Sequence, residues 1–155
     1  LAARTVVAAR RLHAALNGAG FGEFRVATLP APDINIVCYV VVHPAADSLE
    51  RVNALNEGVY ARMSLAVPGA TPEYIITRTR FQSPMYDGAV DELLAAVGVA
   101  TAEQWRASAA EGLVVLRSTV MDPFLADSRV DTDHVTGFVD ALARAAEESL
   151  RSPLA

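Results

Sequence analysis

The segment GLVVLRSTVMDPF, Gly112 to Phe124, decides the fold. Leu113 to Val120 is a short apolar run rich in β-branched residues, which reads as a strand. Asp122-Pro123 closes it, because the residue before a proline is pushed away from helical geometry. Alternation puts Leu113, Val115, Arg117 and Thr119 on one face and Val114, Leu116, Ser118 and Val120 on the other. Both faces are mostly apolar, whereas a sheet covered by helices on one side only should alternate apolar with polar. Ile34 to Val42 behaves in the same way, with Ile34, Ile36, Cys38, Val40 and Val42 opposing Val37, Tyr39 and Val41. The second face is therefore expected to be covered as well. Helices on both sides would do this, and so would another domain or subunit.

Upstream, Ala2 to Asn17 reads as an alanine-rich helix with Val6, Ala9, Leu12 and Leu16 near helical spacing, stopped by Asn17-Gly18 and Gly20. A short strand, Gly22 to Thr28, precedes the Pro30-Ala-Pro32 break. Asp47 is placed to cap a helix with Glu50 reaching back, and Leu49, Val52, Leu55, Val59 and Met63 form its apolar stripe. After the Pro68-Gly69 turn, Glu73 to Phe81 reads as a strand, with Ser83-Pro84 as a breaker. Helices are expected over Asp87 to Val97 and Thr101 to Ala110, the second capped by Thr101 and anchored by Trp105. The last helix starts near Asp131 and carries Val135, Phe138, Val139, Leu142 and Ala146 on one side. The order predicts an α/β (α+β) fold: a two-layer sandwich with a small, mainly antiparallel sheet and helices on it, in one domain over residues 1–155.

Composition narrows the function. The 155 residues are 52% hydrophobic and 20% charged, which suits a packed core. A net charge of −5 with dispersed arginines gives no electrostatic footprint for nucleic acid or an anionic membrane. No apolar stretch reaches the roughly 18 residues that span a bilayer. Cys38, the single cysteine, sits in an apolar run and reads as a buried, inert thiol, in keeping with a reducing cytosol. Gly18, Gly20 and Gly22 have turn rather than dinucleotide spacing.

Few residues suggest chemistry. His13, His43 and His134 lie apart, without metal-ligand spacing, and read as structural or exposed. Asp127, Asp131 and Asp133 suit the positive end of the final helix dipole and lack the pattern of a calcium loop. Arg78 and Arg80 read first as a charged edge-strand face in solvent, the alternative being an anion or subunit contact. Arg117 is the principal candidate. It interrupts an apolar strand, so it must be paired or face a cleft. Either an internal salt bridge to one of the 18 acidic residues or a bound carboxylate satisfies that requirement.

Leu116-Arg117, Ser118 to Met121, Asp122-Pro123 and the helix after Asp131, together with Pro32, Asn35, Val37 and Tyr39, follow a recognisable order. From about Ala31 to Leu150 the chain resembles the C-terminal small domain of group II pyridoxal-phosphate (PLP) amino-acid decarboxylases, which are fold-type I PLP enzymes. The resemblance implies a lyase parent, a cytoplasmic homodimer whose large domain binds PLP, and an amino-acid substrate. It also implies that Arg117 binds the carboxylate of substrate or product. That family holds its cofactor on a lysine, and all 13 basic residues here are arginines. The expectation is therefore a piece of a longer enzyme that holds part of the substrate-pocket wall, with no catalytic, cofactor or metal residue, and is inactive alone. Asp122 stands where the family carries asparagine, which puts the turn at issue, and Arg80 to Glu111 looks like an added helical segment. The alternative is a stand-alone α/β ligand-binding or regulatory module.

Overall fold

The computed structural model describes residues 2–88, 90–107, 112–125 and 133–152. The elements run α1 (Ala2–Leu16), β1 (Gly20–Phe21), β2 (Phe24–Thr28), β3 (Ile36–Val42), α2 (Leu49–Arg62), β4 (Thr77–Phe81), α3 (Asp91–Val97), α4 (Ala102–Ala107), β5 (Leu113–Thr119) and α5 (His134–Arg151). The strands form one antiparallel sheet in the order β1-β2-β3-β5-β4, so the predicted decisive strand lies inside the sheet between β3 and β4. The architecture is the expected two-layer α+β sandwich. The glycine turn is the bend of a small β1–β2 hairpin, with Gly22 at a φ of 60°.

Register assigns the faces. Val26, Val37, Tyr39, Val41, Ser118, Leu116, Val114, Arg78 and Arg80 share one face, and α1, α2 and α5 pack on it. Tyr39 stands edge-on to Phe138 of α5, with ring centroids 6.4 Å apart, and its hydroxyl lies 2.9 Å from Ser118 Oγ. Burial pushes the Tyr39 phenol well above its ordinary pKa. The opposite face carries Val40, Val42, Val115, Leu113 and Phe81 at one end and Ile36, Cys38, Arg117, Thr119 and Thr77 at the other. The first group is buried, on the side to which α3 and α4 contribute. Arg25 donates to Ala96 O and to Val97 O at the C-terminus of α3, and the fully buried Trp105 of α4 donates Nε1 to Phe81 O at 3.2 Å. The second group is half-buried or exposed. Among the described residues helices thus lie on both sides, and those of the second side cover only one end. The segment that looked like an addition supplies that cover.

The covered end is also where the sheet splits. Pairing between β3 and β5 stops at Tyr39↔Leu116; continued in register, it would join Val40 to Val115 and then Val41 to Val114. Two asparagines of α2 enter instead. Asn56 accepts from Val41 N at 2.9 Å and donates to Val41 O at 2.8 Å, while Asn53 accepts from Val114 N at 2.8 Å and donates to Gly112 O at 2.9 Å. Both are buried. Their amides reproduce the donor–acceptor pattern of a strand edge and give Val41 N, Val41 O, Val114 N and Gly112 O their partners.

Several boundaries move from their expected places. Ser48, in extended geometry (φ −139°, ψ 160°), caps α2 by accepting from Arg51 N, whereas the anticipated cap Asp47 pairs with the Arg51 guanidinium at 3.0 Å. β4 starts at Thr77 rather than Glu73, because the preceding residues are held by helices. Tyr74 packs edge-on against Phe138, and Ile76 N donates to Met63 O at 2.8 Å. α3 begins at Asp91 rather than Asp87. Thr101 and Gln104 form a reciprocal capping box at 3.1 and 2.9 Å. Asp133 caps α5, accepting from the Thr136 hydroxyl, Thr136 N and Val135 N, and these bonds, the hydroxyl's first, hold its carboxyl below the ordinary range. Asp127 and Asp131 lie outside the described residues. Asp122 accepts from Phe124 N at 2.8 Å; an asparagine Oδ1 has the same acceptor, so this substitution keeps the turn.

Asn56→Ala leaves a buried N–H and a buried C=O of Val41 without partners, at about 1–3 kcal/mol each. Urea unfolding is expected to register a loss of about 2–5 kcal/mol, and a loss under 1 kcal/mol would show that water fills the gap. A methyl at Gly58 would sit 2.8 Å from Ser149 Cβ, where α2 crosses α5. Gly58→Ala should therefore destabilise, overpacking at about 1–3 kcal/mol outweighing roughly 1 kcal/mol of helix propensity. A raised melting temperature would refute that.

Candidate functional site

The uncovered end of the second sheet face is a platform built by three strands. β5 contributes Arg117 and Thr119, β3 contributes Ile36 and Cys38, and β4 contributes Thr77. Its backbone is tied at the margin, where Val120 N donates to Asn35 O at 2.8 Å and Asn35 Nδ2 donates to Val120 O at 3.0 Å. Exposed apolar side chains stand at the same end of the sheet: Ile34, Ile75 and Met121, with Phe124 just beyond. Met121 is 80% exposed, which makes this end a surface fit for cover.

Arg117 lies at the centre, opposite Cys38 on one neighbour and Thr77 on the other. Its Nε donates to Thr77 Oγ1 at 3.0 Å, and the same hydroxyl donates to Arg117 O at 3.1 Å. Among the described residues no carboxylate pairs with Arg117. Of the two ways to satisfy it, the internal salt bridge is absent there, and the terminal nitrogens have no hydrogen-bond partner among those residues, which leaves a fork free for a ligand. Such a fork recognises a carboxylate through two parallel hydrogen bonds.

Cys38 is half-buried rather than fully buried. Desolvation raises its pKa, and the Arg117 charge partly opposes the rise. It is a neutral thiol beside the guanidinium, ill-suited to act as a nucleophile at neutral pH.

The other candidates are structural. Arg78 is exposed and Arg80 half-buried on the edge strand, as a charged edge face would be, but neither stands unpaired in solvent. They lie on the helix-covered face and share Glu57 of α2 at 2.6 and 3.0 Å, with Arg78 also over the Tyr60 ring at 4.7 Å. His13 lies 2.8 Å from Leu29 O. His43 accepts from Ala45 N through Nδ1 and packs on Phe24, with ring centroids 4.5 Å apart. His134 is the first residue of α5. Among the described residues no three acidic, histidine or cysteine side chains gather as a metal site, and no helix is long and apolar enough to cross a membrane. Thr77 was missed in the sequence. Its only signal is the cross-strand register, which a single strand does not reveal.

Residues 8–150 match the family model described as tyrosine decarboxylase, C-terminal. An L-tyrosine decarboxylase of Enterococcus faecalis (strain ATCC 700802 / V583) is 33% identical over 109 residues. That alignment covers 70% of this chain and 17% of the bacterial enzyme, so the chain spans about a sixth of the length of that relative.

The site makes a titration prediction. Alkylation of Cys38 should follow a pH midpoint above that of an ordinary thiol, and Arg117→Leu should move it higher still by removing the charge that favours the thiolate. A midpoint that stays where it was in Arg117→Leu would place the guanidinium away from the sulfur.

Proposed function

Because the chain belongs to the tyrosine decarboxylase C-terminal family, we propose that it serves as the small domain of an amino-acid decarboxylase in which Arg117 holds the substrate carboxylate. The observation that carries this reading is a guanidinium whose terminal nitrogens have no partner among the described residues, on the end of the sheet face that those residues leave open. A strand with neighbours on both sides is a rigid mount, and substrate recognition needs such a support.

The chemical step belongs elsewhere in the protein. PLP, where an enzyme of this class binds it, supplies the electron sink for carbon–carbon cleavage. The residues of this chain do not fit the group, since the chain has no lysine for its covalent attachment. We assign it the tasks its side chains can perform, which are to bind a carboxylate, orient it and exclude water around it. The large PLP-binding domain of the same chain is the proposed cover for Ile36, Cys38, Thr119 and the exposed Ile34, Ile75 and Met121. An aromatic amino acid is the proposed substrate class, with L-tyrosine the first to assay. A homodimer in the cytoplasm completes the proposal. The open, half-apolar platform supports this reading over a self-contained ligand-binding module, which would close its own sheet.

Reading the coding sequence upstream of Leu1 tests the architecture. An in-frame large domain with a cofactor lysine supports it, and a start codon at Leu1 overturns it. In the full-length protein, Arg117→Ala should lower kcat/KM for L-tyrosine by roughly 10–150-fold, the equivalent of about 1.5–3 kcal/mol for hydrogen bonds to a charged group. Unchanged kinetics would remove Arg117 from the site.

A further inference from the structure

We propose that Thr77 is the positioning residue for Arg117 and sets the mode in which the guanidinium meets its ligand. The inference rests on the proposed function above and specifies the geometry of that same site. A guanidinium offers a carboxylate two bidentate edges, one formed by Nε with a terminal nitrogen and one formed by the two terminal nitrogens. Thr77 Oγ1 accepts from Nε at 3.0 Å, so the first edge is occupied and the end-on edge is left. The hydroxyl also donates to Arg117 O at 3.1 Å, spending its single proton on the backbone. It can therefore only accept from Nε, and the two bonds lock the side chain against its own strand.

The mount is built for this. Thr77 and Arg117 are direct cross-strand partners. The residue before Thr77 is fixed in turn, since Ile76 is buried and its N–H donates to Met63 O at 2.8 Å. Thr77 is itself exposed at the edge of the sheet, where a hydroxyl adds little to core packing. Its two hydrogen bonds with Arg117 account for its placement.

The test uses the full-length enzyme. Thr77→Val keeps shape and strand propensity while removing both hydrogen bonds, and Thr77→Ser keeps them. Thr77→Val is expected to raise KM for L-tyrosine about tenfold with a smaller change in kcat, as loss of orientation at the carboxylate requires. Thr77→Ser should stay within about threefold of wild type. Competitive inhibition separates positioning from general damage: Thr77→Val should weaken 3-(4-hydroxyphenyl)propanoate, which keeps the carboxylate, and leave tyramine, which lacks it, unchanged. In an Arg117→Ala background Thr77→Val should add nothing. An additional tenfold loss there, or equal weakening of both inhibitors, would overturn the inference. Wild-type kinetics in Thr77→Val alongside an impaired Arg117→Ala would overturn it while sparing the proposed function. Wild-type kinetics in both would sink the function itself. If Thr77→Val fails to fold, Thr77→Ala gives the same comparison.

Discussion

Two buried amides set the geometry on which the rest of this chain depends. Asn53 and Asn56 enter the gap where β3 and β5 part, and between them they satisfy Val41 N, Val41 O, Val114 N and Gly112 O. An amide side chain is costly to bury without partners and nearly neutral when its groups are matched. The two asparagines therefore favour one position of α2 over the sheet and penalise every shift of register. Glu57 and Tyr60 lie on the same helical stripe, at the i+4 and i+7 positions from Asn53, and engage Arg78 and Arg80 of β4. One polar stripe on one helix thereby contacts three strands, while Val52, Leu55 and Val59 make the adjacent apolar stripe.

That stripe explains what the sequence hid. The strong strands, the apolar helix faces, the Thr101 cap and the Trp105 anchor were legible because each follows from periodicity or local capping chemistry. Asn53, Asn56 and Glu57 look like a solvated helix face until the sheet is known to offer unpaired main-chain groups opposite them. The same blindness assigned Arg78 and Arg80 to solvent: alternation tells which residues share a face, but not which face a helix carrying a carboxylate will cover. The displaced cap of α2 has a smaller cause. Asp47 and Ser48 are both good caps, and Asp47 is drawn to the Arg51 guanidinium one turn on. For the candidate site, Arg117 was visible as a charge in an apolar strand. Thr77 and Cys38 were not, since only the pairing of three strands brings them beside it.

The two ends of the second sheet face now have a common origin. Where β3 and β5 part, Val40, Val42, Leu113 and Val115 are buried beneath an intramolecular layer to which α3 and α4 belong. Where the strands stay paired, the backbone is closed by Asn35 and Val120, and the face above it holds Arg117 with no helix of the described residues over it. The apolar character of both strand faces had two possible explanations in the sequence. Helices of the chain itself account for the covered half, and for the open half, where Ile36 and Cys38 stand beside Arg117, Thr77 and Thr119, cover by another domain is the proposal.

The absence of lysine adds a last constraint. A lysine at position 117 would carry the same charge on a single ammonium, and any bond it made to Thr77 would come from the one nitrogen left to meet a ligand. Arginine divides these tasks, with Nε for the anchor and two terminal nitrogens for recognition. The anchored guanidinium loses less side-chain freedom when a carboxylate arrives, because its direction is already set by the strand. A domain with no cofactor chemistry of its own can thus shape a reaction proposed to occur elsewhere in the protein, by fixing where the carboxylate lies relative to the bond that breaks. The mount has to be rigid for that, and the register between β4 and β5 makes it so.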